Sequence, residues 1–294
     1  MMKMKKQNLK VNAHYRPNRS RAATAAINVV LLLVACFMTF PMIFAISNSL
    51  KPIEELFIFP PKIFVMNPTG DNYLDLFDIV SNSWVPFSRY LFNTLFITVV
   101  GTVGQVVLSG LAAYGLSKFR FPGHNFIFQL VVFSLMFTST VTAIPSYIIV
   151  SKLGWIDTYL PLIVPFFQSS LGLYLLKQFM DANIPDSLIE AAKIDGASHM
   201  RIFWRIVMPL IKPAWMTLII LCVQTLWNST GGVYIFSEEL KPITVALSQL
   251  ATGTISRSGV SAAVTVVMMV VPVVTFLVSQ NQVIETMSTS GMKD

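Results

Sequence analysis

Fourteen carboxylates, three histidines and two cysteines are the side chains of this 294-residue chain best suited to moving protons, attacking a substrate or holding a metal. None of them is spaced to do so. His14, His124 and His199 are scattered at no ligand spacing, so no metal site is expected. Cys36 and Cys222 lie in apolar stretches and read as small buried groups rather than as a disulfide or a metal pair. The sequence has no Gly-x-x-x-x-Gly-Lys-Ser/Thr phosphate loop, no His-Glu-x-x-His and no Gly-x-Ser-x-Gly. The chain therefore has no visible catalytic residue and no usual means of holding ATP, and no cofactor of its own is expected.

The apolar stretches do offer hydrogen bonding without charge. Asn93, Gln105, Gln168, Gln224, Trp227 and Asn228 are the candidate substrate path, with Tyr147 and Tyr234 near the stretch ends. Amides and aromatic faces suit a neutral polar solute with hydroxyl edges and apolar C–H faces. The same residue types also bond neighbouring helices or anchor at a membrane interface. Ion-driven transporters rely on charged groups within their spans. These stretches contain no Asp, Glu, Lys or Arg, which argues against a secondary transporter.

One charged island, residues 177–212, interrupts the apolar pattern. Its sequence predicts two short helices. Pro185 suits the first turn of a helix starting near 184, with Asn183 as a possible cap. Gly196 after Asp195 is placed to take the left-handed conformation that ends a helix. Ser198 can cap the second helix, whose Ile202, Phe203, Ile206 and Val207 recur at helical spacing until Pro209 is expected to stop it. The small Ala191 and Ala192 would let another backbone approach.

The elements that must position these groups are membrane spans. The chain is 54% hydrophobic and 12% charged, the balance of a polytopic all-α membrane protein. Six stretches lack Asp, Glu, Lys and Arg: 22–50, 90–117, 121–151, 158–176, 213–237 and 258–284. Each can cross a hydrocarbon core of roughly 30 Å. With the N-terminus cytoplasmic, the inner segments carry 15 Lys and Arg and the outer ones 6, which puts both termini and the 177–212 loop on the cytoplasmic side of the cell membrane. Residues 1–21 then form a basic head, with Lys3, Lys5, Lys6, Lys10, Arg16, Arg19 and Arg21 next to anionic lipid rather than nucleic acid. The span domain is 22–284 and a short cytoplasmic tail is 285–294. The first span has too many uncharged residues for a signal peptide and is expected to be retained.

Within the island, Glu190, Ala191, Ala192, Gly196, Ile206 and Pro209 match the coupling-loop motif of ATP-binding-cassette (ABC) importer permeases, which the chain resembles. Met208 stands where that motif usually has leucine, a volume-conserving change. The resemblance implies a type I importer permease fold and a loop, including Asp195, that docks on a separate ATPase. Further matches are similar to the sugar-importing branch, like the second permease of maltose-type transporters. They are Asn48-Ser49-Leu50-Lys51 with Glu54, Pro60-Pro61 and Asn72-Tyr73, then Ala112 to Phe119 with Phe121-Pro122-Gly123, then Gln282 to Met287. Met292, Lys293 and Asp294 depart from the branch's ending. The resemblance implies a heterodimer with a different permease, two ATPase subunits that bind ATP and Mg, an extracytoplasmic sugar-binding protein, and a di- or oligosaccharide cargo. A permease for another small solute and an ATP-independent secondary transporter are the alternatives. An intramembrane enzyme is a third, more distant one.

Overall fold

Long uncharged runs of leucine, valine, isoleucine and phenylalanine can satisfy their backbone groups in an apolar medium only as helices. Helix is what they form, with no strand among the described residues. The computed structural model describes residues 21–81, 85–251 and 258–290, with backbone alone for Arg21, Val80, Leu250, Ala251 and 281–290. The basic residues before Arg21 and the terminal Met292, Lys293 and Asp294 lie outside the described residues.

Contacts separate residues 1–44 from 45–294. The first unit, as far as it is described, is helix α1 (Arg21–Ser49) up to Phe44. Val29, Leu31, Leu33, Phe37 and Met38 are all more than half exposed along it, so it has no core of its own and needs apolar surroundings.

The second unit opens with α2 (Ile53–Leu56) and α3 (Asp71–Ser81), joined by a loop tied to its own backbone. Glu55 accepts the Met66 N–H at 2.8 Å, and Asn72 donates to the Ser49 and Lys51 carbonyls at 2.9 and 2.8 Å. Helix α4 (Phe87–Lys118) follows, 32 residues without a proline and therefore about 48 Å long. Its Gly104 faces Phe167 so closely that a Cβ there would sit 2.1 Å from a ring carbon. Small residues of this kind let membrane helices approach where larger ones would hold them apart.

The expected straight span over 121–151 is instead two helices, α5 (His124–Ser134) and α6 (Ser139–Lys152), bent by 107°. Hydroxyl side chains at the break compete for backbone carbonyls: Ser134 donates to Val131 O, and Thr142 to Ser139 O. Helices α7 (Leu160–Phe167) and α8 (Ser170–Asn183) meet at Ser169, whose hydroxyl caps the Gly172 N–H. Together they run well past the uncharged 158–176 window, because Lys177 and Asp181 pair one turn apart and remain in the helix.

After α8 come α9 (Asp186–Ile194) and α10 (His199–Ile202), a π-helical turn (Phe203–Val207), α11 (Met208–Leu210) and α12 (Lys212–Trp227). The expected start near 184 is corrected to Asp186, with Pro185 one position before the helix. Asn183 is not its cap, since its amide donates back to Phe179 O at the end of α8. Pro209 does not end the second helix either. A proline lacks the N–H and crowds the carbonyl four residues back, and the wide turn just before it absorbs both effects. The helix changes direction by 80° only at Ile211.

The 213–237 window is helical only to Trp227. Left-handed Gly231 and Gly232 then turn the chain into a loop with a 3₁₀ turn at Glu238–Leu240. Helices α13 (Ile243–Ala251) and α14 (Ser258–Ser290) complete the described residues, α14 running six residues beyond the expected end at 284. Among the described residues four helices are long and apolar enough to cross a membrane, 22–49, 87–118, 160–183 and 258–280, and the two bent pairs raise the number to as many as six.

Candidate functional site

The loop between α8 and α12 is a folded hairpin rather than a loose connection. At the end of α9 the Ala197 N–H bonds Ala192 O and the Gly196 N–H bonds Lys193 O, both at 3.0 Å, the double closure of a Schellman motif. Gly196 takes φ +78°, as that motif requires. Ser198 then accepts the Arg201 N–H at 3.4 Å and starts α10, as its sequence position predicts.

One face of this hairpin belongs to the main core. Ile184, Ile189, Ala192, Ile202, Phe203, Val207 and Ile211 are buried with Ala113 and Tyr114 of α4, Leu176 and Met180 of α8, and Leu218 of α12. Ile206 packs at the edge of the same cluster. The opposite face is free: Glu190, Ala191, Lys193, Ile194, Asp195, Gly196 and Pro209 are exposed, Ile194 at 87%. The two alanines therefore split, Ala191 outward and Ala192 into the chain's own core. An isoleucine held this far out on a rigid turn is a projection with apolar and acidic groups side by side.

Polar contacts fix the base of the hairpin. Lys118 at the end of α4 donates to Ile184 O at 2.6 Å and to Asp186 Oδ1 at 2.8 Å. The Lys118 ammonium, by hydrogen bond and by charge, lowers the Asp186 carboxyl below its ordinary value. Asp181 accepts Ser117 Oγ and Lys177 Nζ, one on each oxygen, both at 2.6 Å. Lys177 also lies 4.2 Å from the Phe128 ring centre. Of these residues only the Lys177 and Asp181 spacing is a local signal. The others meet through the fold.

The six candidate path residues divide between buried and exposed positions. Asn93 is fully buried and its amide is spent inside the fold: Nδ2 donates to Glu239 O and Lys241 O at 2.8 and 3.0 Å, and Oδ1 accepts Tyr159 Oη at 2.6 Å. Trp227 is 3% exposed and donates Nε1 to Met268 O at 3.2 Å. Gln105 is buried with its Oε1 lacking a protein partner, in line on α4 with the Thr98 and Thr102 hydroxyls, which also lack one. Gln168, Gln224 and Asn228 are exposed, Asn228 donating to Gln224 O at 2.8 Å and Gln168 lining an open groove of about 470 Å³ with Trp155, Pro165 and Phe167.

At the Asn93 end of α4, the 229–242 loop is clamped. Arg89 Nε donates to Glu239 O at 3.2 Å, Tyr90 Oη to Glu238 Oε1 at 3.0 Å, and the Ile243 N–H to Thr94 Oγ1 at 2.7 Å. Glu238 is lowered from its usual value, first by its hydrogen bond from Lys241. Asp157, the one described non-glycine residue at positive φ, accepts the Phe236 and Ser237 N–H groups at 3.0 and 2.8 Å and the Ser237 hydroxyl as well. Sequence reading missed Asp157 and marked Lys118 only as part of the Ala112 to Phe119 match, with no tie to the hairpin. No cluster of three or more His, Cys, Asp or Glu able to hold a metal exists among the described residues.

Comparison with known proteins places this geometry. Residues 105–285 match the family described as binding-protein-dependent transport system inner membrane component. The polygalacturonan/rhamnogalacturonan transport system permease protein YtcP of Bacillus subtilis (strain 168) is 36% identical over 222 residues, 75% of each chain. The sn-glycerol-3-phosphate transport system permease protein UgpE of Yersinia enterocolitica is 32% identical over 202 residues, 68% of this chain and 72% of that one. Among solved structures, a bacterial ABC transporter involved in the import of the acidic polysaccharide alginate has a chain that superposes with a TM-score of 0.76 at 25% identity, covering 90% of this chain and 99% of that one.

Proposed function

The chain belongs to the family of binding-protein-dependent transport system inner membrane components, and from that premise we propose that it is one permease subunit of an ABC importer that carries a carbohydrate across the cell membrane. The observation that carries this reading is the hairpin over α9 and α10: a rigid, core-anchored projection that exposes Glu190, Ala191, Ile194 and Asp195 around the Gly196 turn. Such a surface fits a cleft in a separate subunit. Glu190 and Asp195 meet basic or amide groups there, Ala191 allows close approach, Ala192 and Ile206 hold the hairpin to its own bundle, and Pro209 stays on the exposed side.

In this reading the chain performs no chemistry. Two ATPase subunits bind ATP and Mg on the cytoplasmic side, where both termini also lie. Their closure displaces the hairpin and swings the spans between inward- and outward-facing arrangements. A second, different permease completes the pathway, and an extracytoplasmic binding protein delivers the cargo. Gln168, Gln224 and Asn228 are the polar side chains proposed to meet cargo, with Gln105 behind them. Asn93 and Trp227 serve the path by shaping it.

A carbohydrate cargo, of di- or oligosaccharide size, is supported by the cargo named for YtcP and for the alginate transporter. The similarity to UgpE favours a second reading, a small polyol phosphate. One experiment addresses both questions. The tagged chain is expected to co-purify with a phosphate-loop ATPase, and Glu190→Arg is expected to lose it while the chain stays in the membrane. The cognate binding protein, screened against acidic and neutral oligosaccharides and glycerol-3-phosphate, then names the cargo. A chain that purifies without any ATPase and moves solute alone in vesicles would refute the reading.

A further inference from the structure

The hairpin is joined covalently to α8 and α12, and Trp215 of α12 donates to Met208 O at 2.9 Å, yet a second set of polar and aromatic ties leads to a third helix. Lys118, with a side chain 6% exposed, holds Ile184 O and Asp186, the residues that lead into α9. One turn earlier, the Tyr114 ring centre lies 5.7 Å from that of Phe203. Phe119, the residue that ends α4, lies 5.6 Å from Tyr114 and 4.7 Å from His199, the first residue of α10. The end of α4 therefore grips the start of both hairpin helices. Its opposite end grips the 238–243 segment through Arg89, Tyr90, Asn93 and Thr94. Between the two grips α4 is a single helix without a proline or a break.

We propose that α4 is a transmission rod, fixed at one end to the ATPase-facing hairpin by Lys118 and at the other to the 229–242 loop, so that displacement of the hairpin reaches the far mouth directly. Lys118 is a positioning residue in this scheme and touches neither ATPase nor cargo. Coupling carried by a contiguous rigid element needs firm attachment at both ends: the Lys118 ammonium supplies it at the hairpin, and the buried Asn93 amide with the Thr94 hydroxyl supplies it at the loop. The proposal rests on the reading of the hairpin as the ATPase-facing loop.

The test uses the whole transporter in nanodiscs, with Cys36 and Cys222 replaced by alanine and spin labels at Ala112→Cys on α4 and Lys193→Cys on α9. The label separation is measured by pulsed electron resonance without nucleotide and after trapping with MgATP and vanadate. In the parent the separation is expected to stay constant, while amide exchange across 236–243 changes on trapping. In Lys118→Met the separation is expected to shift on trapping and the 236–243 response to disappear, with ATPase recovery unchanged. Lys118→Arg is expected to restore both.

A parent pair that separates on trapping overturns the proposal, as does a Lys118→Met complex that behaves like the parent. Loss of the ATPase from Lys118→Met also overturns it, because Lys118 would then act in docking. A parent chain that recruits no ATPase at all refutes the functional reading instead.

Discussion

The carboxylate of Asp157 receives the backbone N–H and the hydroxyl of Ser237, eighty residues further along the chain. Three donated bonds, first that of the Ser237 hydroxyl, stabilise the charged form and hold the carboxyl below its ordinary value. A depressed acid contributes its stabilisation above the unfolded value and loses it as pH falls through the folded one. The latch should accordingly be insensitive to pH above about 5 and fail only below about 4. Amide exchange at Phe236 and Ser237, corrected for intrinsic rates, is expected to stay protected from neutral pH down to that point. Asp157→Ala is expected to remove the protection at every pH, and unchanged exchange in that variant would contradict the latch.

Gly196 offers a separation of space from backbone. A Cβ at this position meets nothing within 4 Å, so only φ +78° opposes a side chain. Asparagine tolerates that conformation, whereas a β-branched residue adds at least the ordinary penalty of about 1–2 kcal/mol. Gly196→Asn should keep near-normal ATPase recovery and ATP turnover, and Gly196→Val should lower both while the chain still reaches the membrane. Equal behaviour of the two variants in a co-purification assay would count against the turn.

Asn93 distinguishes a structural amide from a cargo-contacting one. Asn93→Leu strands the Lys241 carbonyl and the Tyr159 hydroxyl, each orphaned group costing about 1–3 kcal/mol, and leaves the Glu239 carbonyl with Arg89 Nε alone. The expected result is a lower melting temperature of the purified complex with the order of preference among cargos unchanged. A changed cargo preference at unchanged stability would return Asn93 to the path.

Gly104 and Phe167 form a steric pair. Gly104→Ile drives its Cβ into the Phe167 ring and should reduce the yield of folded complex, measured by size-exclusion recovery. Phe167→Ala in the same chain should recover part of that loss. No recovery would mean that another neighbour limits the space.

What was legible in the sequence follows the range of each interaction. The all-helical class, the Gly196 turn and the Ser198 cap depend on a few consecutive residues, and they stand as read. Lys118 with Asp186, Asp157 with Ser237, and Asn93 with Glu239 join residues 68, 80 and 146 positions apart, and no local pattern announces them. Asn93 and Trp227 drew notice as polar groups in apolar stretches, but composition cannot tell a group turned toward solute from one turned toward a neighbouring carbonyl. Pro209 escapes the usual rule, which assumes an ordinary turn before the proline.

That wide turn also fixes the molecule's tolerance to changes in length. A π turn carries one residue more than an α turn over the same rise, and each residue rotates a helix by about 100°. Removing a single residue between Phe203 and Val207 would close that turn to an ordinary α turn without rotating its flanks, but Pro209 would then crowd the carbonyl four residues back. Spelling alone therefore does not specify this hairpin. Its letter count does too, and a one-codon deletion there should be more damaging than most substitutions.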